Sequence, residues 1–565
     1  MRRRLKAPTL LPTLLQDGFS AESPEDKGRL LVRQYSSVYV EDTDYTEPVS
    51  DSTTPNSDGF MITTDEVLRE LNNLNTTKSP GPDGLHPMIL KNLAEVIAEP
   101  LCCIYNSTLL NGKLPSDWKK AIISPRFKGG DRKKPESYRP ISLTCISCKV
   151  LEKIITRRMH DYLDRYNLLT PTQHGFRRNR SCVTNLLYAR ESWTDTVAKG
   201  SQVDAIFIDF SKAFDKVPHS KLVSKLSTFK LPAIFIRWIQ DFLANRSFAV
   251  RVEHITSEEL PMLSGVPQGS VLGPLLFLLY VNDLPGDIKS DCLFYADDLK
   301  IWRPVESAND VTILQQDLDV VLNWSKSWKL PISYEKRIYL NIDRRRQAHS
   351  YYLDGLEVTH NETVPDLGIT VTSDLKTLRH TEKACCSARR TLGAIRRTFS
   401  RIPKQTFQHL FAAHVRPRLE YGGSATFPCL AGELNQLELV QRSATRLVHE
   451  LKHETYEDRL AALNLFPQVY RRTRGDLITI RRILRGEFGE ELLKFFPVKA
   501  DCRRGHLLTV SKQRPGELPA IFRLSRRVIN LWNSLPAQMA EEENEDRFKK
   551  EIDAHLHNMW HREWH

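Results

Sequence analysis

Long apolar runs are missing from this chain of 565 residues. The longest run, Leu275 to Val281, is far shorter than the stretch a membrane-spanning helix needs. The basic start, Met1 to Arg4, is followed by Leu and Pro residues without a continuous apolar core or a small-residue cleavage site, so a secretory signal peptide is not expected. These absences exclude a helical membrane protein and a classical secreted precursor as the first interpretations.

Cysteine is also scarce, with 10 residues in the whole chain, and several are neighbours, such as Cys102-Cys103. This usage is typical of reduced thiols in an intracellular protein and not of a disulfide framework. Cys145-x-x-Cys148 has the spacing of half a zinc site, but no second Cys pair or His pair follows at a suitable distance. We therefore expect no structural zinc at these cysteines.

What the chain does have is an ordinary globular composition with a basic excess. Hydrophobic residues make up 41% and charged residues 27%, and the length predicts two to four subdomains. Lys and Arg number 81 against 69 Asp and Glu, which leaves a net charge of +12. An excess of this size favours a polyanionic partner, either nucleic acid or an anionic membrane surface.

Two adjacent aspartates, Asp297 and Asp298, lie inside a short apolar run from Leu293 to Ile301. The aromatic and branched residues around them predict two short strands that meet at a tight turn, with both carboxylates at its tip. Two ionised carboxylates side by side are either solvated or neutralised by a cation. Their hard oxygen ligands suit Mg²⁺, so both interpretations stay open at this point.

A second carboxylate ends another apolar segment. The run Ala205 to Ile208 has the composition of a buried strand, and Asp209 lies where that strand ends. Such a residue is either a metal ligand on a rigid element or a helix cap for the segment that follows. Further along, the polar loop Ser264 to Ser270 leads into an apolar helix predicted over Leu275 to Leu284.

Upstream of these carboxylates, a capped amphipathic helix begins near Thr63, and we expect it to end at the Pro- and Gly-rich loop Lys78 to Gly84. Ala121 to Pro125 and Tyr138 to Leu143 read as two strands joined by a basic, Gly-containing loop. That pair is either a phosphate-binding hairpin, because Lys and Arg match phosphate oxygens, or a solvated charged hairpin.

After about residue 380 the sequence becomes helical and rich in arginine. Within Leu437 to Val448, apolar residues form one stripe, while Arg442 and Arg446 lie on another face. The simplest alternative to nucleic-acid binding is a helical bundle with a solvated basic face. The other arginines of this helical region are Arg389, Arg390, Arg396, Arg397, Arg471, Arg472, Arg474, Arg481 and Arg482.

The order of these segments resembles that of the reverse transcriptases of non-LTR (LINE-type) retrotransposons, closest to the jockey-like group. The resemblance runs from about Thr63 to the C-terminus. Its marks are Ser79 to Gly84, Tyr138 to Ser142, Gln173 to Arg177, Phe207 to Val217, Ser264 to Pro274, Tyr295 to Asp298, Asp366 to Gly368, Val415 to Tyr421 and Arg527 to Pro536.

The resemblance implies an α+β fold of the right-hand polymerase type, with fingers and a palm built on a small antiparallel sheet, then a helical thumb and a mostly helical C-terminal region. Turn formers and acids predict a partly disordered lead-in over 1–57. The divisions that the resemblance implies after it are an N-terminal extension and fingers over 58–200, the palm over 201–380, the thumb over 381–485 and the C-terminal region over 486–565.

By the same resemblance, two Mg²⁺ ions, with Mn²⁺ as a substitute, are held by Asp209 and Asp297, with Asp298 as a third carboxylate and the Phe210 carbonyl as a further ligand. Lys336 corresponds to a lysine that protonates the leaving pyrophosphate. The implied nucleotide-binding residues are Lys128 and Arg139 for the triphosphate, Phe214 for exclusion of the ribose 2′-hydroxyl, and Gln268 and Gly269 along the nascent base pair.

The implied nucleic-acid-binding residues are Arg389, Arg390, Arg396, Arg397, Arg442 and Arg446, which would hold an A-form template–primer duplex through its phosphates. Some positions depart from the family pattern. Arg126 replaces an apolar residue and Gly129 a lysine, while Ser333 and Arg337 replace an Asn and a small residue beside Lys336.

The partners that the resemblance implies are an RNA template, a DNA primer or target, dNTPs and the element RNA, with no membrane. About sixty residues precede the first family motif, fewer than an endonuclease domain needs, so we expect a nick supplied in trans. The expected location is intracellular, with action in the nucleus and a cytoplasmic ribonucleoprotein.

Two alternatives compete with the polymerase interpretation. A group II intron maturase shares Tyr-Ala-Asp-Asp, but the Ser270 to Pro274 continuation and the Trp532 to Pro536 tail argue against it. A catalytically dead RNA-binding relic is the other alternative, and the intact carboxylates Asp209, Asp297 and Asp298 argue against that one.

Overall fold

The structure is a computed structural model that describes residues 11–16, 18–41, 61–343, 348–428, 430–499, 505–512 and 523–563. The chain forms two compact units. Unit 1 comprises Met1–Thr170, Phe210–Asp287 and Val321–Ser333, and unit 2 comprises Pro171–Asp209, Ile288–Val320 and Tyr334–His565. The units interleave along the sequence, and the contiguous divisions over 1–57, 58–200, 201–380, 381–485 and 486–565 stay a prediction.

The strands are β1 (Leu14–Gln16), β2 (Phe19–Ala21), β3 (Lys120–Phe127), β4 (Tyr138–Leu143), β5 (Gln202–Asp209), β6 (Arg246–Val252), β7 (Ile255–Thr256), β8 (Leu260–Met262), β9 (Asp291–Tyr295), β10 (Asp298–Val305), β11 (Ile338–Ile342), β12 (Tyr352–Leu353), β13 (Leu356–Glu357), β14 (Thr359–His360), β15 (Thr363–Asp366) and β16 (Ile369–Thr372).

The α-helices are α1 (Pro24–Ser36), α2 (Thr64–Asn72), α3 (Pro87–Asn92), α4 (Ala94–Asn111), α5 (Ile146–Arg165), α6 (Cys182–Ala198), α7 (Ala213–Lys216), α8 (His219–Thr228), α9 (Ala233–Leu243), α10 (Gly273–Val281), α11 (Ala308–Ser327), α12 (Leu378–Thr398), α13 (Lys404–Leu410), α14 (Arg416–Glu420), α15 (Ala431–Thr445), α16 (Tyr456–Leu463), α17 (Gln468–Leu484), α18 (Glu490–Leu493), α19 (Leu524–Arg527), α20 (Ile529–Asn533), α21 (Ala537–Ala540) and α22 (Glu545–Glu563).

In unit 1, the capped helix predicted near Thr63 is confirmed as α2. The Thr63 hydroxyl accepts a hydrogen bond from the backbone amide of Glu66, and the Glu66 carboxylate accepts one from the backbone amide of Thr63. These two bonds form a capping box. The predicted end was wrong, because α2 stops at Asn72, before the Pro- and Gly-rich loop begins. The two predicted strands are also confirmed, since β3 and β4 pair antiparallel with Arg126 opposite Arg139.

The unit 1 sheet has the order β4-β3-β6-β7, with β8 also on β6. Helix α1 covers it through Leu31, Val32 and Tyr35, which pack with Phe248 and Val250 of β6. Part of the predicted lead-in therefore folds into β1, β2 and α1. Residues 1–10, 17 and 42–57 of that segment lie outside the described residues.

Unit 2 is built on a sheet of order β14-β11-β5-β10-β9, in which β5 lies between β11 and β10. Seven consecutive residues of β5, Gln202 to Ile208, are buried, which confirms the buried strand predicted there. The C-terminal segment packs into the same core, where Trp532 and Phe548 join Trp302 of β10 and Trp193 of α6.

A second core in unit 2 lies among the helices after residue 380. Leu392 of α12, Phe411, Leu437 and Val440 of α15, and Leu460 of α16 all belong to it. Of the predicted stripe, Leu437, Val440 and Ala444 are buried, and Leu447 is half-buried. Helices and small sheets thus give the mixed fold class that the sequence predicts. Within the described residues, no helix is both long and apolar enough to span a bilayer.

Candidate active site

The two adjacent aspartates lie at a two-residue hairpin turn in unit 2, as predicted. Tyr295 pairs with Asp298 across β9 and β10, so Ala296 and Asp297 form the turn between them. Ala296 has a φ of 57°, in the left-handed region where hairpin turns usually carry glycine. For a residue with a Cβ atom this conformation costs roughly 1–2 kcal/mol. The surrounding structure must therefore hold Ala296 in place.

Asp209 reaches the same end of the sheet because β5 and β10 pair antiparallel with Asp209 directly opposite Asp298. Residues opposite each other in such a pair have Cα atoms about 5 Å apart. The three carboxylates Asp209, Asp297 and Asp298, here called the carboxylate cluster, are therefore contributed by a strand end and a hairpin tip. Both are rigid elements, which is where a metal ligand is best placed.

Lys336 also belongs to this end of unit 2. Its ammonium group donates a hydrogen bond to the Asp209 carboxylate, and this bond raises the pKa of Lys336, with further contributions from Asp298 and Asp297. Lys336 follows Tyr334 and Glu335 in a short 3₁₀ turn and is exposed. The departures at Ser333 and Arg337 thus leave Lys336 directed at the carboxylate cluster.

The carboxylate cluster is short of positive charge. The pKa of Asp298 is raised to about 7, first because burial disfavours its ionised form, and then because Asp297, Asp209 and Asp366 add negative charge around it. Within the described residues no group of three or more His, Cys, Asp and Glu side chains is arranged to hold a metal ion. The chemistry of the donors nevertheless fits a divalent cation, because hard carboxylate oxygens crowd together beside one exposed lysine.

A buried ion pair beside the carboxylate cluster was missed from the sequence. Lys300, two residues after Asp298 on β10, donates to the Asp366 carboxylate at the end of β15. Their side chains are 4% and 6% exposed. The turn after Asp366 has Leu367 with a φ of 44°, and the Tyr421 hydroxyl donates to the Leu367 carbonyl at 2.6 Å. A lysine inside an apolar strand was the sequence signal that could have revealed this pair.

Three of the predicted nucleotide-binding residues come together within unit 1. The side-chain Nε2 atom of Gln268 donates a hydrogen bond to the Asp215 carboxylate at 2.8 Å. The backbone carbonyl of Gln268 accepts a hydrogen bond from the backbone amide of Ser142 in β4 at 2.7 Å. Gly269 has a φ of 120°, and a Cβ atom there would lie 2.5 Å from the Ser142 carbonyl oxygen, so this position requires glycine. The backbone carbonyl of Phe214 accepts a hydrogen bond from the Val266 amide, so Phe214 contacts the same loop.

The ring of Phe214 stacks on Phe277 of α10 with centroids 4.5 Å apart and planes inclined by 21°. The side chain is half-buried. Phe210, predicted to offer its carbonyl to a metal, has a buried ring beside Trp324 and pairs through its backbone with Ile332. Both aromatic rings thus contribute to the apolar core of unit 1.

Lys128 and Arg139, the predicted triphosphate residues, are exposed on the β3–β4 hairpin. The Lys128 amide continues the strand pairing by donating to the Ser137 carbonyl at 2.9 Å. Arg126 lies directly opposite Arg139, and like charges at such positions destabilise a strand pair. A bound polyanion would relieve this repulsion. Arg126, a departure from the family pattern, therefore adds to the positive charge of the hairpin.

Asp215, which the sequence analysis did not single out, is the residue that Gln268 contacts. Its pKa is raised to about 6 because burial disfavours the ionised carboxylate, although Gln268, Lys212, Lys128 and Lys216 oppose the effect. Because the pKa of Asp215 is higher in the folded state than in the unfolded state, its contribution to the free energy of unfolding is fully present only below about pH 4. That contribution is lost as the pH rises through 6.

We expect Asp215→Asn to stabilise unit 1 by about 2 kcal/mol at pH 8, because the amide avoids the buried charge and still accepts from Gln268. The stability difference between Asp215→Asn and the wild type should decrease as the pH falls from 8 to 5. Thermal unfolding at each pH measures it, with Asp131→Asn as the control, since exposed Asp131 accepts the Lys133 amide as asparagine would. A difference that does not vary with pH would contradict this assignment.

The arginines after residue 380 divide into two groups. Arg389, Arg390, Arg396 and Arg397 are exposed on the face of α12 opposite its buried residues Cys385, Ala388, Leu392 and Ile395. A groove of about 450 Å³ runs between Arg389, Arg390, Gly393 and Arg397. Arg442 and Arg446 are exposed as well, and the Arg442 guanidinium lies 4.5 Å from the Tyr456 ring centroid.

The second group, for which the sequence left a helical bundle open beside nucleic-acid binding, has its guanidinium groups engaged within unit 2. Arg471 pairs with Glu420, Arg474 with Asp553 and Arg482 with Glu545. Arg472 and Arg481 are buried and donate to backbone carbonyls, those of Leu419 and Glu542 among them. A helical bundle held by internal ion pairs explains these five residues.

Comparison with known proteins adds an independent finding. Residues 131–371 match the family model described as "Reverse transcriptase (RNA-dependent DNA polymerase)". The matched range contains the carboxylate cluster, Lys336 and the unit 1 loop with Gln268.

Three curated relatives come from Drosophila melanogaster. The chain is 29% identical to the probable RNA-directed DNA polymerase from transposon BS, over 68% of this chain and 44% of that protein. It is 30% identical to the RNA-directed DNA polymerase from mobile element jockey, over 56% and 36%. It is 30% identical to the probable RNA-directed DNA polymerase from transposon X-element, over 56% and 35%. The chain thus spans less than half the length of these relatives.

Among solved structures, apo telomerase from Candida tropicalis, truncated from its C-terminal domain, aligns over 51% of this chain and 59% of that chain. The TM-score is 0.33 and the identity 10%, too low to support an argument.

Proposed function

We propose that the protein is an RNA-directed DNA polymerase of a non-LTR retrotransposon, because residues 131–371 match the reverse transcriptase family model. It extends a primer 3′-hydroxyl with dNTPs on an RNA template. The observation that carries the proposal is the carboxylate cluster, in which Asp209 faces Asp298 across two strands and Lys336 contacts Asp209. The names of the jockey, BS and X-element relatives support the same activity.

We propose that Asp209 and Asp297 hold two Mg²⁺ ions, for which Mn²⁺ substitutes, with Asp298 as the adjacent carboxylate and the Phe210 carbonyl as a further ligand. When bound, such ions lower the pKa of the attacking hydroxyl and neutralise charge on the attacking and leaving oxygens. Phosphoryl transfer requires positioning and charge neutralisation more than covalent help from the protein. The strand end and the hairpin tip supply that positioning.

Lys336 is proposed as the proton donor to the leaving pyrophosphate. Its Nζ atom already lies at the carboxylate cluster, and its side chain is 67% exposed, so it can exchange the Asp209 carboxylate for a phosphate oxygen. In this role Lys336 supplies a proton as the bond to the leaving oxygen breaks, and it balances part of the charge that develops there.

The unit 1 residues are proposed to bind the incoming nucleotide. Lys128 and Arg139, assisted by Arg126, contact the triphosphate, since ammonium and guanidinium groups match phosphate oxygens. Phe214, supported by Phe277, excludes a ribose 2′-hydroxyl by collision. Gln268 and Gly269 line the nascent base pair, where the absent side chain of Gly269 permits close approach.

In this proposal residues 58–200 form the fingers with the N-terminal extension, 201–380 the palm, 381–485 the thumb and 486–565 the C-terminal region. The nucleic-acid partners are the element RNA as template and a DNA 3′ end at the target as primer. Insertion takes place in the nucleus, and the RNA-bound protein forms in the cytoplasm. The Arg389, Arg390, Arg396, Arg397, Arg442 and Arg446 side chains hold the template–primer duplex through its phosphates.

The exposed arginines of α12 lead to a prediction about how nucleic-acid affinity depends on salt concentration. Replacement of Arg389, Arg390, Arg396 and Arg397 by Gln removes four exposed charges and should reduce the slope of log affinity against log salt by up to roughly 0.7–0.9 per lost contact. Fluorescence anisotropy with an RNA–DNA hybrid from 50 to 300 mM KCl measures the slope. The matched control replaces four exposed lysines, Lys113, Lys199, Lys230 and Lys550. Equal slopes in both variants would remove α12 from the duplex-binding surface.

The direct test of the proposal is dTTP incorporation by the purified chain on poly(rA)/oligo(dT) with Mg²⁺. Template-dependent incorporation that stops when the metal is chelated establishes the polymerase. No incorporation, combined with salt-sensitive RNA binding, would refute the enzymatic proposal and leave an RNA-binding relic.

A further inference from the structure

The β9–β10 turn is contacted by a glutamine that comes from a distant part of unit 2. The Gln173 Oε1 atom accepts hydrogen bonds from the backbone amides of Ala296 at 3.0 Å and Gly175 at 2.7 Å. The Gln173 Nε2 atom donates a hydrogen bond to the backbone carbonyl of Ala296 at 3.4 Å. Gln173 is 3% exposed. One buried side-chain amide therefore engages both backbone polar groups of the turn residue Ala296.

Gln173 itself is fixed by backbone bonds on both sides. The Phe294 amide donates to the Thr172 carbonyl at 2.9 Å, and the His174 amide donates to the Phe294 carbonyl at 2.9 Å. Gly175 completes the contact, because a Cβ atom there would lie 2.5 Å from the Ala296 nitrogen. Gln173 thus forms an isolated parallel bridge with Phe294 of β9, and this pairing brings its side chain to the turn.

The chemistry of the turn explains why an amide is needed. Ala296 is held at a φ of 57° without the freedom of glycine, so its conformation depends on contacts from outside the hairpin. A primary amide can accept from an N–H group and donate to a carbonyl at once. A carboxylate offers acceptors only, and an apolar side chain of the same length offers neither.

We propose that Gln173 is a positioning residue for the catalytic turn: it holds Ala296 in the left-handed conformation and thereby orients the Asp297 carboxylate. The inference rests on the proposed function. Groups that orient metal-binding side chains typically change metal affinity or activity by 10–100-fold when they are replaced. Gln173, His174 and Gly175 are part of a family-like motif for which the sequence alone suggested no role.

The test compares Gln173→Met, which keeps the length but removes both hydrogen-bonding functions, with Gln173→Glu, which keeps the Oε1 acceptor. For Gln173→Met we expect a rise of roughly 10–100-fold in the Mg²⁺ concentration for half-maximal dTTP incorporation. Binding of Mn²⁺ alone, followed by electron paramagnetic resonance of the free ion, should weaken by a similar factor. Hydrogen exchange in a peptide spanning residues 294–299 should become about 10-fold faster as the Ala296 amide loses its acceptor.

The matched control is Asn185→Leu. Asn185 is fully buried, and its Nδ2 atom donates to the Phe294 carbonyl at 3.0 Å, so its loss perturbs the same strand but not Ala296. His174 keeps that carbonyl satisfied in this variant. We expect Asn185→Leu to lower the melting temperature without moving the Mg²⁺ requirement or the exchange of residues 294–299, and Gln173→Glu to restore part of what Gln173→Met loses.

The outcomes separate the two proposals. Equal behaviour of Gln173→Met and Asn185→Leu in metal requirement, Mn²⁺ binding and exchange would overturn the positioning role and leave Gln173 as a structural residue. Equal losses in Gln173→Met and Gln173→Glu would overturn it as well. If the wild-type chain incorporates no dTTP, the polymerase proposal fails, while Mn²⁺ binding and exchange still decide whether Gln173 orders the turn.

Discussion

The Asp297→Asn variant should lose about three orders of magnitude in dTTP incorporation on poly(rA)/oligo(dT). Asn retains the size and one oxygen of the side chain but removes its charge. Charge neutralisation by metal ions at a phosphoryl-transfer site is worth several kcal/mol, and each 1.36 kcal/mol corresponds to a factor of ten in rate. Because Asp297 is in the turn and not in a paired strand, the fold should survive, and the melting temperature measures this.

Asp291→Asn is the matched control for that experiment. Asp291 begins β9 on the same hairpin, is exposed and lies at the opposite end of the strand from the turn. The same chemical change there should leave incorporation within about twofold of wild type. Full activity in Asp297→Asn would refute the proposed metal site, and an equal loss in both variants would assign the effect to the hairpin instead of the carboxylate.

The second large effect is expected at the buried pair of Lys300 and Asp366. Removal of one partner from a buried ion pair leaves a charge without compensation and typically costs about 3–5 kcal/mol. Lys300→Met should therefore lower the melting temperature of unit 2 by roughly 5–8 °C. It should also leave the Asp366 charge near Asp298, whose pKa that charge already helps to raise. Differential scanning fluorimetry measures the first effect.

The double variant Lys300→Met with Asp366→Leu distinguishes the pair from its individual residues. Replacement of a buried ion pair by apolar residues is often neutral or even stabilising, so most of the lost stability should return. A double-mutant cycle then gives the coupling between the two side chains. Additive losses in the double variant would show that the two residues stabilise unit 2 independently of each other.

The arginine-rich region shows where sequence reasoning reaches its limit. Arg389 and Arg472 both lie on helices with apolar periodicity, yet Arg389 is exposed and Arg472 is buried with its guanidinium directed at backbone carbonyls. Helical periodicity separates the two faces of a helix, but it does not tell whether the second face meets solvent or another element. In α17 that second face meets α22, through pairs such as Arg474 with Asp553.

The sequence by itself determined the parts of the carboxylate cluster, because each part is local, whereas the pairing of β5 with β10 that places Asp209 opposite Asp298 depends on the tertiary structure. An apolar run that ends in Asp209, and a pair of strands around Asp297 and Asp298, follow from apolar and aromatic composition and turn chemistry over a few residues. The resemblance to reverse transcriptases then supplied the order of these parts and the activity that the order implies.

Only the tertiary structure decided what surrounds that cluster. Gln173 reaches Ala296 across 123 positions, and Lys300 reaches Asp366 across 66. Neither pairing leaves a periodic signal in the sequence, since each depends on which strands become neighbours in the sheet of unit 2. A glutamine, a lysine or an arginine looks the same in the sequence whether its partner is solvent or a buried backbone group, and packing alone chooses between them.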